Sequence, residues 1–235
     1  MARKNKGKRR RNQKKNGVPR SLSLGPYMPQ SIIARHKYST VFALSQSYMN
    51  ATIQSDGANL HSFKLNCLSD PDSAGTGVPR FFDEMHSFYT TYRVIGAKVR
   101  VKFINLSGEP CYIHAYQGAQ QLSAQSALLP RQLNELKGVR RRILHSLDSG
   151  PKSVQTMVIN YSPERQEGKS KAVIRGDPNF EALGSGEPME KHYLSLTASQ
   201  VSSTLGGQSN LNVQCEVNID FTAIWNDRKI QGEST

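Results

Sequence analysis

The side chains best suited to chemistry in this sequence are cations. Arg3, Lys4, Lys6, Lys8, Arg9, Arg10, Arg11, Lys14, Lys15 and Arg20 make ten of the first twenty residues basic, and none of the twenty is acidic. Guanidinium and ammonium groups at this density neutralise phosphates and release condensed counterions. Each contact to a single strand adds about −0.7 to the slope of log affinity against log salt. Ten cations bound the stretch at ten phosphates. No aromatic residue interleaves them, so contacts go to backbone phosphates and base stacking is not expected. Apolar residues are confined to Met1, Ala2, Val18 and Pro19. With no apolar face to offset ordering entropy, residues 1–20 are predicted to form a disordered basic arm that binds nucleic acid. Lys8, Arg9, Arg10, Arg11, Lys14 and Lys15 also fit a nuclear import signal, which adds import receptors to the expected partners.

Other chemistry is sparse. Lys98, Arg100 and Lys102 alternate with Ala97, Val99, Val101 and Phe103, giving either an additional basic surface or an ordinary solvated strand face. In the run Arg140, Arg141, Arg142, alternation sends Arg141 to the face opposite its neighbours, and at least one of the three is expected to pair with an acid. Asp70 and Asp72 invite a calcium reading, but the twelfth position from Asp70 is Phe81 where an EF-hand needs a carboxylate, so that motif is excluded and the two read as turn-forming aspartates, with a looser ion site at an interface as the alternative. Cys67, Cys111 and Cys215 have no metal-binding or redox spacing and read as reduced core thiols of a cytosolic or nuclear compartment. The six histidines are scattered, His114 and His145 reading as strand residues, and GxSxG, HExxH and phosphate-loop motifs are absent. The expectation is a protein that is not an enzyme and needs no cofactor or metal.

The charge is unevenly distributed. Net charge is +13 and the pI about 9.8, yet the first acidic residue is Asp56, and from there on 19 basic residues face all 18 acidic ones. A nearly neutral body therefore carries a cationic tail, which argues against a uniformly basic module. About 200 residues suffice for one domain with a real core. No apolar run approaches the roughly 20 residues of a membrane span, and the N-terminus lacks a secretory apolar region, so neither secretion by that route nor membrane insertion is expected.

Residues 21–36 mix Gly, Pro and Ser with a few apolar side chains and read as a linker. Alternation with a period of two, the mark of a half-buried strand, starts at Lys37. Eight strands are predicted: Lys37 to Tyr48, Ser62 to Leu68, Arg93 to Asn105, Pro110 to Gln117, Val139 to Ser146, Lys152 to Tyr161, Lys191 to Ser199 and Leu211 to Trp225. In the last, Val213, Cys215, Val217, Ile219, Phe221, Ala223 and Trp225 share one face. Helical spacing is confined to Pro79 to Tyr92, with Asp83 and Glu84 in its first turn, and to Leu129 to Lys137, ended by Gly138.

Long connections at 69–92, 118–138 and 162–190 alternate with short ones, and successive connections of an antiparallel domain lie at opposite ends. The result is a wedge with its bulky loops at one end. An all-β fold, a single eight-stranded jelly roll of two four-stranded antiparallel sheets, fits this pattern. The expected organisation is an arm at 1–20, a linker at 21–36, a jelly-roll domain at 37–228 and a C-terminal tail at 229–235.

The block Pro79, Phe81, Phe82, Asp83, Phe88, Tyr89, Tyr92, Arg93, Val94, Gly96, Lys98 and Val99 resembles the helix-to-strand junction in capsid proteins of circular, Rep-encoding single-stranded DNA viruses, and the basic N-terminus resembles theirs. The resemblance implies a circovirus-like coat protein, with about sixty copies closing into a small icosahedral shell around single-stranded DNA. It also implies residence in the virion, with assembly in the host nucleus, and a cell receptor. The narrow end of the wedge would then crowd a fivefold axis. The arm departs from circovirus coats in having about equal Lys and Arg, and coats of small single-stranded RNA viruses or satellites combine the same parts. A non-assembling basic nucleic-acid-binding protein is the alternative from another class, with a lectin-like jelly roll as a third.

Overall fold

The computed structural model describes residues 29–46, 60–73, 77–122, 130–201 and 211–229. The arm, residues 21–28 of the linker and residues 230–235 of the tail lie outside them. Nine strands run β1 (Ile32–Gln46), β2 (Leu60–Lys64), β3 (Tyr89–Asn105), β4 (Cys111–Gly118), β5 (Val139–Leu144), β6 (Val154–Tyr161), β7 (Ala182–Leu183), β8 (Tyr193–Gln200) and β9 (Leu211–Arg228). They form two antiparallel sheets. One has the order β1-β9-β3-β6, with β7 added to β3, and the other the order β2-β8-β4-β5. The last strand thus lies between the first and third, and the penultimate one between the second and fourth. That interleaving of two Greek keys is a jelly roll.

The alternating apolar sets build the core. Val99, Val101 and Phe103 of β3 and Val213, Cys215, Val217, Ile219, Phe221, Ala223 and Trp225 of β9 are all buried, facing Phe63, Ile113, Ala115, Leu194, Leu196 and Ala198 of the other sheet. Each fully buried large side chain stabilises the fold by about 1.5–3 kcal/mol relative to exposure. Cys67, Cys111 and Cys215 are free and buried. Burial pushes the Cys111 thiol up to about 12.

All eight expected strands are present, with shifted ends. β1 starts at Ile32, inside the stretch that reads as linker, because Ile32 to His36 pair with Trp225 to Phe221. β2 ends at Lys64, where the chain turns back and Lys64 N donates to Pro71 O. The first helix, α1, spans only Phe82–Phe88. Tyr89 to Tyr92 have helical spacing but pair with β9 and β7 instead. Cross-strand pairing outweighs local propensity there. The second helix, α2 (Pro130–Glu135), is followed by Gly138 at φ +92. Two further short helices, α3 (Pro163–Glu167) and α4 (Lys171–Gly176), lie in the β6–β8 connection.

The long connections gather as expected. The β2–β3 and β6–β8 segments meet at one end, where Tyr92 OH donates to Gly186 O at 3.0 Å and accepts from Leu68 N at 3.1 Å and Ser69 N at 3.3 Å. Lys64 there pairs with Asp70 and Glu187. Burial opposes the Lys64 charge, but the two carboxylates outweigh it and raise its pKa. The short connections meet at the other end, with Leu106 N and Ser107 Oγ both donating to Asn212 O.

One segment behaves otherwise. Leu122 and Leu133 of the β4–β5 connection pack on Leu60, covering part of the outer face of the four-stranded sheet. Ser62, His114, Thr197 and Ser199 are therefore buried although alternation points them away from the sandwich core. Ser62 Oγ meets Ser195 Oγ at 2.8 Å. Burial and the nearby Arg141 lower the His114 pKa to about 4.

Phe81 precedes α1 in the left-handed region, at φ 64 and ψ 14. For a bulky residue this costs roughly 1–2 kcal/mol. Its neighbours leave no choice. Arg80 N donates to Lys37 O, Arg80 O accepts from His36 Nδ1, and Phe82 is locked in the core beside Tyr92 and Trp225.

Candidate nucleic-acid interface

The outer face of the five-stranded sheet presents its polar residues in rows fixed by register. Lys37, Asp220, Lys98 and Asn160 form one row across β1, β9, β3 and β6. Ser39, Asn218, Arg100 and Val158 form the next, then Val41, Glu216, Lys102 and Thr156. Lys98, Arg100 and Lys102 thus point outward as alternation requires, and all three are exposed. Arg35 stands beside Thr222, one row further toward the start of β1.

The three expected cations are not equivalent. Arg100 pairs with Asp220 at 2.8 Å and Lys102 with Glu216 at 3.3 Å. Exposed pairs of this kind contribute 0–1 kcal/mol and are screened by salt, so both cations can exchange a carboxylate for a phosphate. Among the described residues Lys98 has no ion pair. Sequence reading missed Arg35, Lys37 and Arg80 as members of this face. Arg35 and Lys37 share one strand parity, a signal that becomes usable once β1 is known to start at Ile32. Arg80 reaches the sheet only because its backbone is bound to His36 and Lys37, which no local pattern announces. Two shallow depressions result. One of about 550 Å³ is lined by Arg35, Lys37, Lys98, Arg100 and Asp220, and one of about 750 Å³ by Lys37, Arg80, Arg100, Asn218 and Asp220. Both suit a phosphate-bearing chain lying across the strands.

Arg140, Arg141 and Arg142 belong to the other sheet, on its edge strand β5, and border this face at its β6 side. Arg140 donates to Val158 O at 2.8 Å, and the Arg141 guanidinium sits 4.7 Å from the centroid of the Tyr112 ring. The acid partner expected for one of them is absent among the described residues. An aromatic face and a carbonyl of the edge strand β6 serve instead. Asp70 and Asp72 lie in the turn-rich segment after β2 and do more than shape it. Asp72 is buried, accepting from Tyr38 OH at 3.1 Å and bonded to His61 Nε2 at 2.8 Å. Asp70 pairs with Lys64. Both tie loop to strand. Among the described residues no three of His, Cys, Asp and Glu gather as a metal site. The arm cations Arg3 to Arg20 and the import-signal residues lie outside the described residues.

No protein-family model and no curated protein matches the chain. Solved structures with similar folds include a chain of Mud crab tombus-like virus, 13% identical, covering 98% of this chain and 94% of that one with a TM-score of 0.45. A chain of Desmodium yellow mottle tymovirus is 10% identical, covering 92% and 99% with a TM-score of 0.41. A chain of Penaeus vannamei nodavirus is 15% identical, covering 92% of this chain and 60% of that one with a TM-score of 0.48. The likeness is one of fold to chains of virus structures, and the jelly-roll assignment stands on the strand order itself.

Proposed function

We propose that this chain is a structural coat protein that closes into a small icosahedral shell and packages a single-stranded genome. The observation that carries the reading is the division of charge: a body of net charge +1 from Asp56 onward joined to an arm of ten cations. Such a body packs against copies of itself without the repulsion that +13 on its surface would cause. In this reading residues 1–20 are the genome-binding arm, 21–36 the linker, 37–228 the shell domain and 229–235 a tail. Eleven residues separate Arg20 from Ile32, an extended reach of about 40 Å, enough to sweep the sheet face that bears Arg35, Lys37 and Lys98. Lys98, Arg100 and Lys102 then continue the arm's phosphate contacts onto the body.

Single-stranded DNA is favoured by the block from Pro79 to Val99. That assignment brings with it assembly in the host nucleus through Lys8, Arg9, Arg10, Arg11, Lys14 and Lys15 and an import receptor. About sixty copies, residence in the virion and a cell receptor complete the reading, with no reaction catalysed and no membrane inserted. The test is assembly of the expressed chain. Negative-stain images should show closed shells whose nucleic acid, after disruption, is degraded by DNase and resists RNase. Digestion by RNase instead assigns the genome to RNA, and a chain that stays monomeric across salt and pH overturns the coat reading.

A further inference from the structure

Phe81 combines two features that are unfavourable for the isolated chain. Its backbone is held in the left-handed region, and its ring is 61% exposed. A glycine there would relieve the backbone at no loss of core packing. An aromatic side chain kept in water at a strained position is thus unexplained by the fold of one copy. Beside it Asp83 and Glu84 are exposed on α1.

The complementary surface lies on the opposite flank. β1, to which the Phe81 segment is bound, is one edge of its sheet, and β6 is the other. Along β6 and the neighbouring edge strand β5 a cleft of about 360 Å³ is lined by Arg140, Arg141, Arg142, Thr156, Met157 and Val158. Val158 is 41% exposed, and Arg142 is exposed with no ion pair among the described residues. Guanidinium groups flanking an apolar floor suit an aromatic ring, which they contact by its face. Buried aromatic and arginine anchors are also the residues that dominate protein interfaces.

We infer that Phe81 of one copy inserts into the Arg140–Arg142–Val158 cleft of the next, with Asp83 and Glu84 meeting the arginines. Because knob and cleft lie on opposite edges, the contact is head-to-tail, the kind that builds rings when the rotation between copies closes. The inference rests on the coat reading and adds the contact by which copies join.

The test compares the full-length wild-type chain with Phe81→Gly. The variant should lower the assembled fraction at least tenfold, measured by sedimentation at equal concentration, while the Tm of the dissociated subunit stays level or rises. A structural role for Phe81 would instead lower that Tm and leave assembly intact. Arg142→Glu should also impair assembly, and adding Glu84→Arg to it should recover shells. Wild-type shells accompanied by undiminished assembly of Phe81→Gly or Arg142→Glu overturn the contact alone. A wild-type chain that never assembles overturns the coat reading and the contact together.

Discussion

The indole Nε1 of Trp225 donates to His36 Nε2 at 2.9 Å, and His36 Nδ1 in turn donates to Arg80 O at 3.1 Å. The imidazole is thereby fixed as the neutral Nδ1–H form, since Nε2 must accept. One buried histidine connects the last strand, the first strand and the segment that carries Phe81.

His36→Ala should cost about 1–3 kcal/mol, because the buried indole N–H loses its acceptor and the Arg80 carbonyl its donor. Urea unfolding of the dissociated subunit measures this. A change below about 0.5 kcal/mol would show that water replaces the ring.

Acid should destabilise the body before its carboxylates titrate. Burial lowers the pKa of His36 and of His192, against an opposing pull from Glu167 on the latter, and burial with Arg141 lowers His114 to about 4. The unfolded chain binds protons near pH 6.5 while the folded one resists. Stability is therefore complete above pH 6.5 and falls as the pH drops toward the folded values, by up to about 1.4 kcal/mol per pH unit for His114 between 6.5 and about 4. Thermal melts between pH 7.5 and 5 test this, and a flat Tm over that range would contradict it.

Tyr92→Phe deletes the hydroxyl that serves Leu68 N, Ser69 N and Gly186 O. The expected loss is about 1–3 kcal/mol, together with faster proteolysis between residues 65 and 73. Unaltered cleavage would show that the loops are held by the Lys64 ion pairs alone.

Binding of the full chain to single-stranded DNA should have a steep salt dependence. Lys37→Gln with Lys98→Gln should reduce the slope by about 1.4, and deletion of residues 1–20 by up to about 7. Filter binding at several salt concentrations reads both. An arm deletion that leaves the slope unchanged would remove residues 1–20 from genome binding.

The sequence by itself determined which segments become strands and where charge resides. The period-two alternation of Val213 to Trp225 and of Ala97 to Phe103 is local: successive side chains leave opposite faces of a strand, so burial of one face is written into neighbouring residues. The count of eight main strands and the alternation of long and short connections followed from such patterns, as did the contrast in charge between residues 1–20 and the rest.

Tertiary structure alone decided which residues meet. Arg100 and Lys102 lose their standing as free cations to Asp220 and Glu216, more than a hundred residues away. Tyr89 to Tyr92 become strand because β9 and β7 offer partners, and His114 is buried because a distant connection folds over its sheet. Phe81 is forced into a left-handed backbone by His36, Lys37 and the core below Phe82. Each outcome depends on register between strands far apart in sequence, and pairing across that separation leaves no periodic trace along the chain.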